Sequence, residues 1–81
     1  LIILDEIRNI LPMTLKEIGQ ALKFRREFLQ LRQGDLSEMS GITIRTIYDI
    51  EKGSSNPSFT TLEKLTDTLG MEITIQVKTI K

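Results

Sequence analysis

The stretch QGDLSEMSGITIRTIYDIEKG, residues 33–53, constrains this chain more than any other. Leu36 and Met39 lie three apart, Gly41 interrupts, and Thr43 caps a second run in which Ile47 and Ile50 repeat at helical spacing. Two short helices joined by a tight turn follow, Gln33 to Ser40 and Thr43 to about Lys52. Gly41 suits the left-handed position that ends the first of them. Leu36 and Met39 are expected in the core, and Ser37 is small enough to let the next helix approach closely.

The second of these helices sorts its residues into two faces. With Ile44 at 0° on the helical wheel, Ile50, Ile47 and Glu51 fall at about 240°, 300° and 340°, which marks the buried side. The opposite arc carries Ile44, Tyr48, Lys52, Arg45 and Asp49. On a reading helix an apolar group can meet a thymine methyl and an arginine can take guanine bidentately. Arg45 and Asp49 are also i, i+4 partners, so the same residues are equally consistent with a solvated surface pair. Asp49 repels phosphate, so beside a groove it either holds Arg45 in place or accepts from a cytosine amine.

The flanks supply the rest of a helical core. Thr14 followed by Glu17 is a capping box, and Leu15, Ile18, Leu22 and Leu29 then share about 60° of the wheel. Arg26 lies on the edge of that face and asks for a buried carboxylate, for which Glu51 is the candidate. Phe24 and Phe28 read as a widened core stripe, and Lys23 and Arg25 as solvated surface. Gly53 and SSNPS form a turn-rich connector. Ser58 then caps a helix in which Phe59, Leu62, Leu65 and Leu69 recur, closed by Gly70.

The two ends differ in pattern from the middle. Residues 1–11, LIILDEIRNIL, suit a short amphipathic helix ending at Pro12, although Leu1 to Leu4 equally suit a strand or an arm. From Met71 the period becomes two: Met71, Ile73, Ile75 and Val77 alternate with Glu72, Thr74, Gln76 and Lys78. One strand cannot satisfy its own backbone groups, so pairing with its copy in a second chain is expected; pairing with residues 1–4 or a frayed tail are the alternatives. The chain therefore divides into an N-terminal extension over 1–13, a helical domain over 14–70 and a dimerisation strand over 71–81.

Composition excludes more than it selects. Eighty-one residues make one small domain, for which oligomerisation is a fair expectation. Neither cysteine nor histidine is present, which removes disulfides, thiolate or imidazole metal ligands and the commonest general base. No nucleophile and base pair can be assembled, so an enzyme, a metal site and a cofactor are not expected. Eleven bases balance eleven acids, so a nucleic-acid partner must be argued from where the charges lie. The longest apolar run is too short for a membrane span or a signal-peptide core, and a cytoplasmic location is the default.

Leu31, Gln33, Leu36, Gly41, Ile42, Thr43, Thr46, Ile47, Ile50, Glu51, Gly53, Pro57, Ser58, Leu62, Leu65, Leu69 and Gly70 follow the pattern of the Cro/cI-type (Xre) helix-turn-helix domains, which residues 15–70 resemble. The resemblance implies an all-α, four- to five-helix lambda-repressor-like domain, here followed by the C-terminal strand that pairs across a dimer. It implies base contacts by Ile44, Arg45, Tyr48 and Asp49, and backbone contacts by Gln33, Thr43, Thr46 and Lys52. Gln33 would also brace the reading helix, and Arg26 with Glu51 matches an ion pair found in several members. Arg32 stands where Thr is common, losing a cap but adding a charge beside the phosphates; Ser37 replaces the usual Ala. The closing GMEITIQV resembles the tail of HipB-type antitoxins, whose strand pairs with its dimer mate.

From this resemblance the expected function is a homodimeric repressor of a palindromic operator. It would be nucleoid-associated when bound and would act as antitoxin of a HipA-like serine/threonine kinase. The dimer would be held by Glu72, Ile73, Thr74, Ile75, Gln76, Val77 and Lys78. A free-standing repressor without a toxin, or an interaction module of the same fold that no longer binds DNA, are the alternatives.

Overall fold

The computed structural model describes residues 14–75 and residue 77, and the reading of residues 1–13 lies outside them. Four helices occur among the described residues: α1 (Leu15–Phe28), α2 (Gln33–Ser40), α3 (Ile44–Lys52) and α4 (Phe59–Leu69). Three begin on side-chain caps from Thr14, Thr43 and Ser58, each hydroxyl accepting from a backbone N–H three residues on. At the first of these Glu17 Oε1 reciprocates from Thr14 N at 2.9 Å and completes the box.

The core is a single cluster of Leu22, Leu36, Ile47, Ile50, Leu65 and Leu69, flanked by half-buried Ile18, Leu31, Ile42, Leu62 and Met71. Helix α1 packs on α3 and α4, and α2 packs on the same two helices. The closest approach is at Gly19, where an added Cβ would overlap the carbonyl oxygen of Ile50 and stand 3.0 Å from that of Glu51. Gly53, at φ 78°, lies against Lys16 in the same way, with an added Cβ only 2.7 Å from Lys16 Cα. Two glycines thus let the start of α1 lie directly on the end of α3.

The α1–α2 turn is made without glycine. Leu31 N donates to Arg26 O at 3.0 Å and Gln30 N to Glu27 O at 2.9 Å, a Schellman closure whose left-handed residue is Gln30 at φ 60°. A side chain other than glycine in that region carries strain.

Several expectations are corrected. Met39 is 59% exposed, because three residues on from Leu36 a side chain has turned by about 60°, enough to leave the narrow buried strip of a short helix. Phe24 and Phe28 are exposed: they lie roughly 120–160° round the wheel from Leu22 and widen no core stripe. Leu15 and Leu29, at the two ends of the α1 face, stay outside the core, 40% and 37% exposed. Arg25 is half-buried, its Nε donating to Leu69 O at 2.9 Å and its guanidinium lying 5.4 Å from the Phe28 ring centre. It therefore caps the C-terminal end of α4 as well as facing water.

The strand expected from Met71 is not formed by the single chain. Met71 packs against the core, while Glu72, Ile73, Thr74, Ile75 and Val77 are exposed and carry no strand hydrogen bonding; Gln76 and Lys78 lie outside the described residues. The physical reason is that a strand is defined by its neighbour, and the chain offers none among the described residues.

Gly19→Ala should lower the unfolding free energy by about 2–3 kcal/mol or more, since a backbone carbonyl cannot move aside as a side-chain tip can. Gln30→Gly should raise it by about 0.5–1 kcal/mol by relieving the left-handed strain. Urea denaturation followed by circular dichroism measures both. An unchanged midpoint in Gly19→Ala would contradict the close packing of α1 on α3.

Candidate nucleic-acid interface

Helix α3 is amphipathic because its apolar residues recur on one arc, and the tertiary structure locks that arc inward. Ile47, Ile50 and Glu51 are buried, whereas Ile44, Arg45, Tyr48 and Lys52 face outward. Ile44 at the start of α3 lies near Gly34 of α2, its Cδ1 3.9 Å from where a Cβ would stand, an ordinary contact distance.

A buried polar cluster sets the rotation of α3. Arg26 Nε donates to Glu51 Oε2 at 2.7 Å and Nη2 to Oε1 at 2.9 Å, a bidentate pair between α1 and α3. Nη1 of the same guanidinium donates to Leu31 O at 2.8 Å, and Gln33 Nε2 donates to Glu51 Oε1 at 2.9 Å. Every arm is satisfied, which a charge this buried requires. The Glu51 hydrogen bonds hold the Arg26 proton more tightly than in a free arginine and outweigh the opposing effect of burial. Gln33, Arg26 and Glu51 are thus brought together. Their common effect is to fix which side of α3 reaches solvent.

The remaining residues expected at DNA are Arg32 at the cap of α2, Thr43 at the cap of α3, and Thr46, Asp49 and the outward residues along α3 itself. Thr43 Oγ1 donates to Thr46 Oγ1 at 2.9 Å and accepts from Thr46 N, so the Thr43 hydroxyl caps the helix and the Thr46 hydroxyl is its acceptor. Each cation of the surface is held by a helical neighbour. Arg45 Nε donates to Asp49 Oδ2 at 3.2 Å, and Lys52 Nζ lies 5.1 Å from the Tyr48 ring centre. Arg32 Nε donates to Asp35 Oδ2 at 3.3 Å.

Arginine has no acceptor, so Arg32 cannot cap α2 with its side chain. Half of a capping box remains: Asp35 Oδ2 accepts from Arg32 N at 2.8 Å. That backbone bond, followed by the Arg32 side chain, holds the Asp35 carboxyl below the usual carboxylate range. The cap lost at Arg32 is in this way recovered from inside the helix.

Sequence reasoning passed over Gly19, the residue that lets α1 reach α3, and Arg25, which ties α1 to the end of α4. The signal for Gly19 was present: it lies on the same arc of the wheel as Leu22 and Arg26. No sequence signal marks the carbonyl that Arg25 meets, 44 residues away. Among the described residues no group of His, Cys, Asp or Glu could hold a metal ion.

The family model described as Helix-turn-helix matches residues 22–76. Among known proteins the chain is 40% identical over 52 residues to proteins named as candidate HTH-type transcriptional regulatory proteins, from Saccharolobus islandicus and Saccharolobus solfataricus. The match takes in 64% of this chain and 17% of each relative, so the chain spans a small part of their length.

Glu51→Ala should cost about 3–5 kcal/mol of stability, because it leaves a buried guanidinium without its counter-charge. Gln33→Ala, which removes one hydrogen bond at the edge of the cluster, should cost about 1 kcal/mol. Chemical denaturation of the two variants tests the ranking, and equal losses would show that Glu51 is not the centre of the cluster.

Proposed function

Because this chain belongs to the Xre-type helix-turn-helix family, we propose that it is a sequence-specific DNA-binding transcriptional regulator that sets α3 into the major groove. The observation that carries this reading is the outward set Ile44, Arg45, Tyr48 and Lys52, held on one face by the buried Arg26–Glu51–Gln33 cluster. Arg45 is the specifying residue, with Ile44, Tyr48 and Asp49 beside it at base edges. Arg32, Gln33, Thr43, Thr46 and Lys52 position the domain on the backbone. The names of the Saccharolobus proteins, as transcriptional regulatory proteins, point the same way.

In this reading the regulator is a repressor that acts as a homodimer on a palindromic operator. Two reading helices then enter successive major grooves ~34 Å apart. The dimer contact is assigned to residues 72–78, whose alternation and exposed Ile73, Ile75 and Val77 support an edge waiting for a partner. The narrower role of antitoxin to a HipA-like kinase rests on the GMEITIQV resemblance alone, and co-purification with the product of a neighbouring kinase gene tests it.

A second reading, an interaction module of the same fold, is favoured by one observation: each cation of the surface already has an acid or an aromatic ring beside it. Binding to promoter DNA across a salt series separates the two, since phosphate contacts make affinity fall steeply with salt.

Arg45→Ala should cost about 1–3 kcal/mol on the preferred site and relax base preference there. An equal loss on random duplex would reduce Arg45 to a phosphate contact. Removing residues 72–81 should give monomers by light scattering, and an unchanged dimer would refute the assignment of the dimer contact.

A further inference from the structure

Asp49 has a peculiarity that separates it from the other acids of this surface. Asp35 also pairs with an arginine, but its carboxylate closes the N-terminus of α2 by accepting from Arg32 N. Helix α3 is already capped by Thr43, and the hydrogen bond of the Asp49 side chain is the one it accepts from Arg45 Nε at 3.2 Å. The Asp49 side chain is 30% exposed and that of Arg45 83% exposed, so the carboxylate is the anchored member and the guanidinium the projecting one.

The geometry of that bond decides what Arg45 can still do. A guanidinium is a planar fork, and holding it by Nε–H leaves the paired Nη1 and Nη2 hydrogens at its far edge. Those two groups make no hydrogen bond among the described residues. They are the pair that meets O6 and N7 of guanine. A phosphate oxygen at the same edge would stand close to the Asp49 carboxylate and be repelled, whereas the neutral acceptors of a base would not. The bond also restricts a side chain that otherwise loses much rotamer freedom on binding.

We propose that Arg45 and Asp49 form one reading unit, in which Asp49 positions Arg45 end-on to a guanine, turns it away from phosphate, and offers its free Oδ1 to the exocyclic amine of an adjoining cytosine or adenine. This rests on the assignment of α3 as the groove helix. Asp49 is then a specificity device: it weakens contact with any duplex and sharpens the choice among duplexes.

The test uses the full chain and a random-sequence duplex pool. Sites enriched by the wild type are re-measured for affinity beside copies with the preferred guanine replaced, and beside random duplex, for wild type, Asp49→Ala, Arg45→Ala and the double variant. Asp49→Ala should lower the preference for guanine about tenfold while raising affinity for random duplex about threefold, as loss of a phosphate-repelling charge requires. The double variant should match Arg45→Ala in its preference at the guanine position, because Asp49 acts through Arg45 at that base.

An Asp49→Ala variant that gains affinity everywhere with its base preference intact would overturn the proposal and leave α3 as the groove helix. Additive losses in the double variant would overturn it as well. A wild type that enriches no site would instead remove the DNA reading itself, and the proposal with it. Circular dichroism of each variant verifies the fold, which this exposed pair does not support.

Discussion

The buried guanidinium of Arg26 ties four parts of the chain to one point. It reaches Glu51 on α3 with two hydrogen bonds and the carbonyl of Leu31 in the α1–α2 turn with a third, while Gln33 at the start of α2 closes on the same carboxylate. Removing two charges from water is expensive, and attraction recovers that cost only when the remaining donors and acceptors are also satisfied. Here they are. An apolar contact of equal size would tolerate a rotated α3, but a bidentate fork does not, so the cluster contributes orientation more than net stability.

Orientation matters because α3 is short and carries its two roles on opposite sides. One arc supplies Ile47 and Ile50 to the core; the other leaves Ile44 and Tyr48, four residues apart, about half exposed. The close fit of Gly19 against the carbonyls at the end of α3, and of Gly53 against Lys16, brings α1 near enough for Arg26 to reach Glu51. Backbone approach and ion pair therefore depend on each other.

The surface that results is electrostatically quiet. Arg32, Arg45 and Lys52 each rest on a residue of their own helix or cap, which agrees with the balance of eleven acids and eleven bases in the whole chain. The exposed Phe24 and Phe28 of α1 and the exposed Ile75 and Val77 past α4 are the apolar counterpart, side chains whose spacing is regular but whose burial is not achieved by the described residues.

Periodicity and caps determined a great deal from the sequence alone. Thr14, Thr43 and Ser58 mark helix starts because a hydroxyl three residues before an N–H can accept from it, and Gly41, Gly53 and Gly70 mark ends because a missing Cβ permits positive φ. The inward face of α3 and the need of Arg26 for a carboxylate were legible for the same reason: they follow from angles on one helix and the cost of burying a charge. Only the tertiary structure decided how wide each buried strip is, and hence that Met39, Phe24 and Phe28 face water. It alone placed the Leu69 carbonyl beside Arg25, 44 residues along the chain. The alternation after Met71 marks a possible strand, but a strand exists only with a neighbour, and a neighbour is a property of the fold or assembly rather than of the segment.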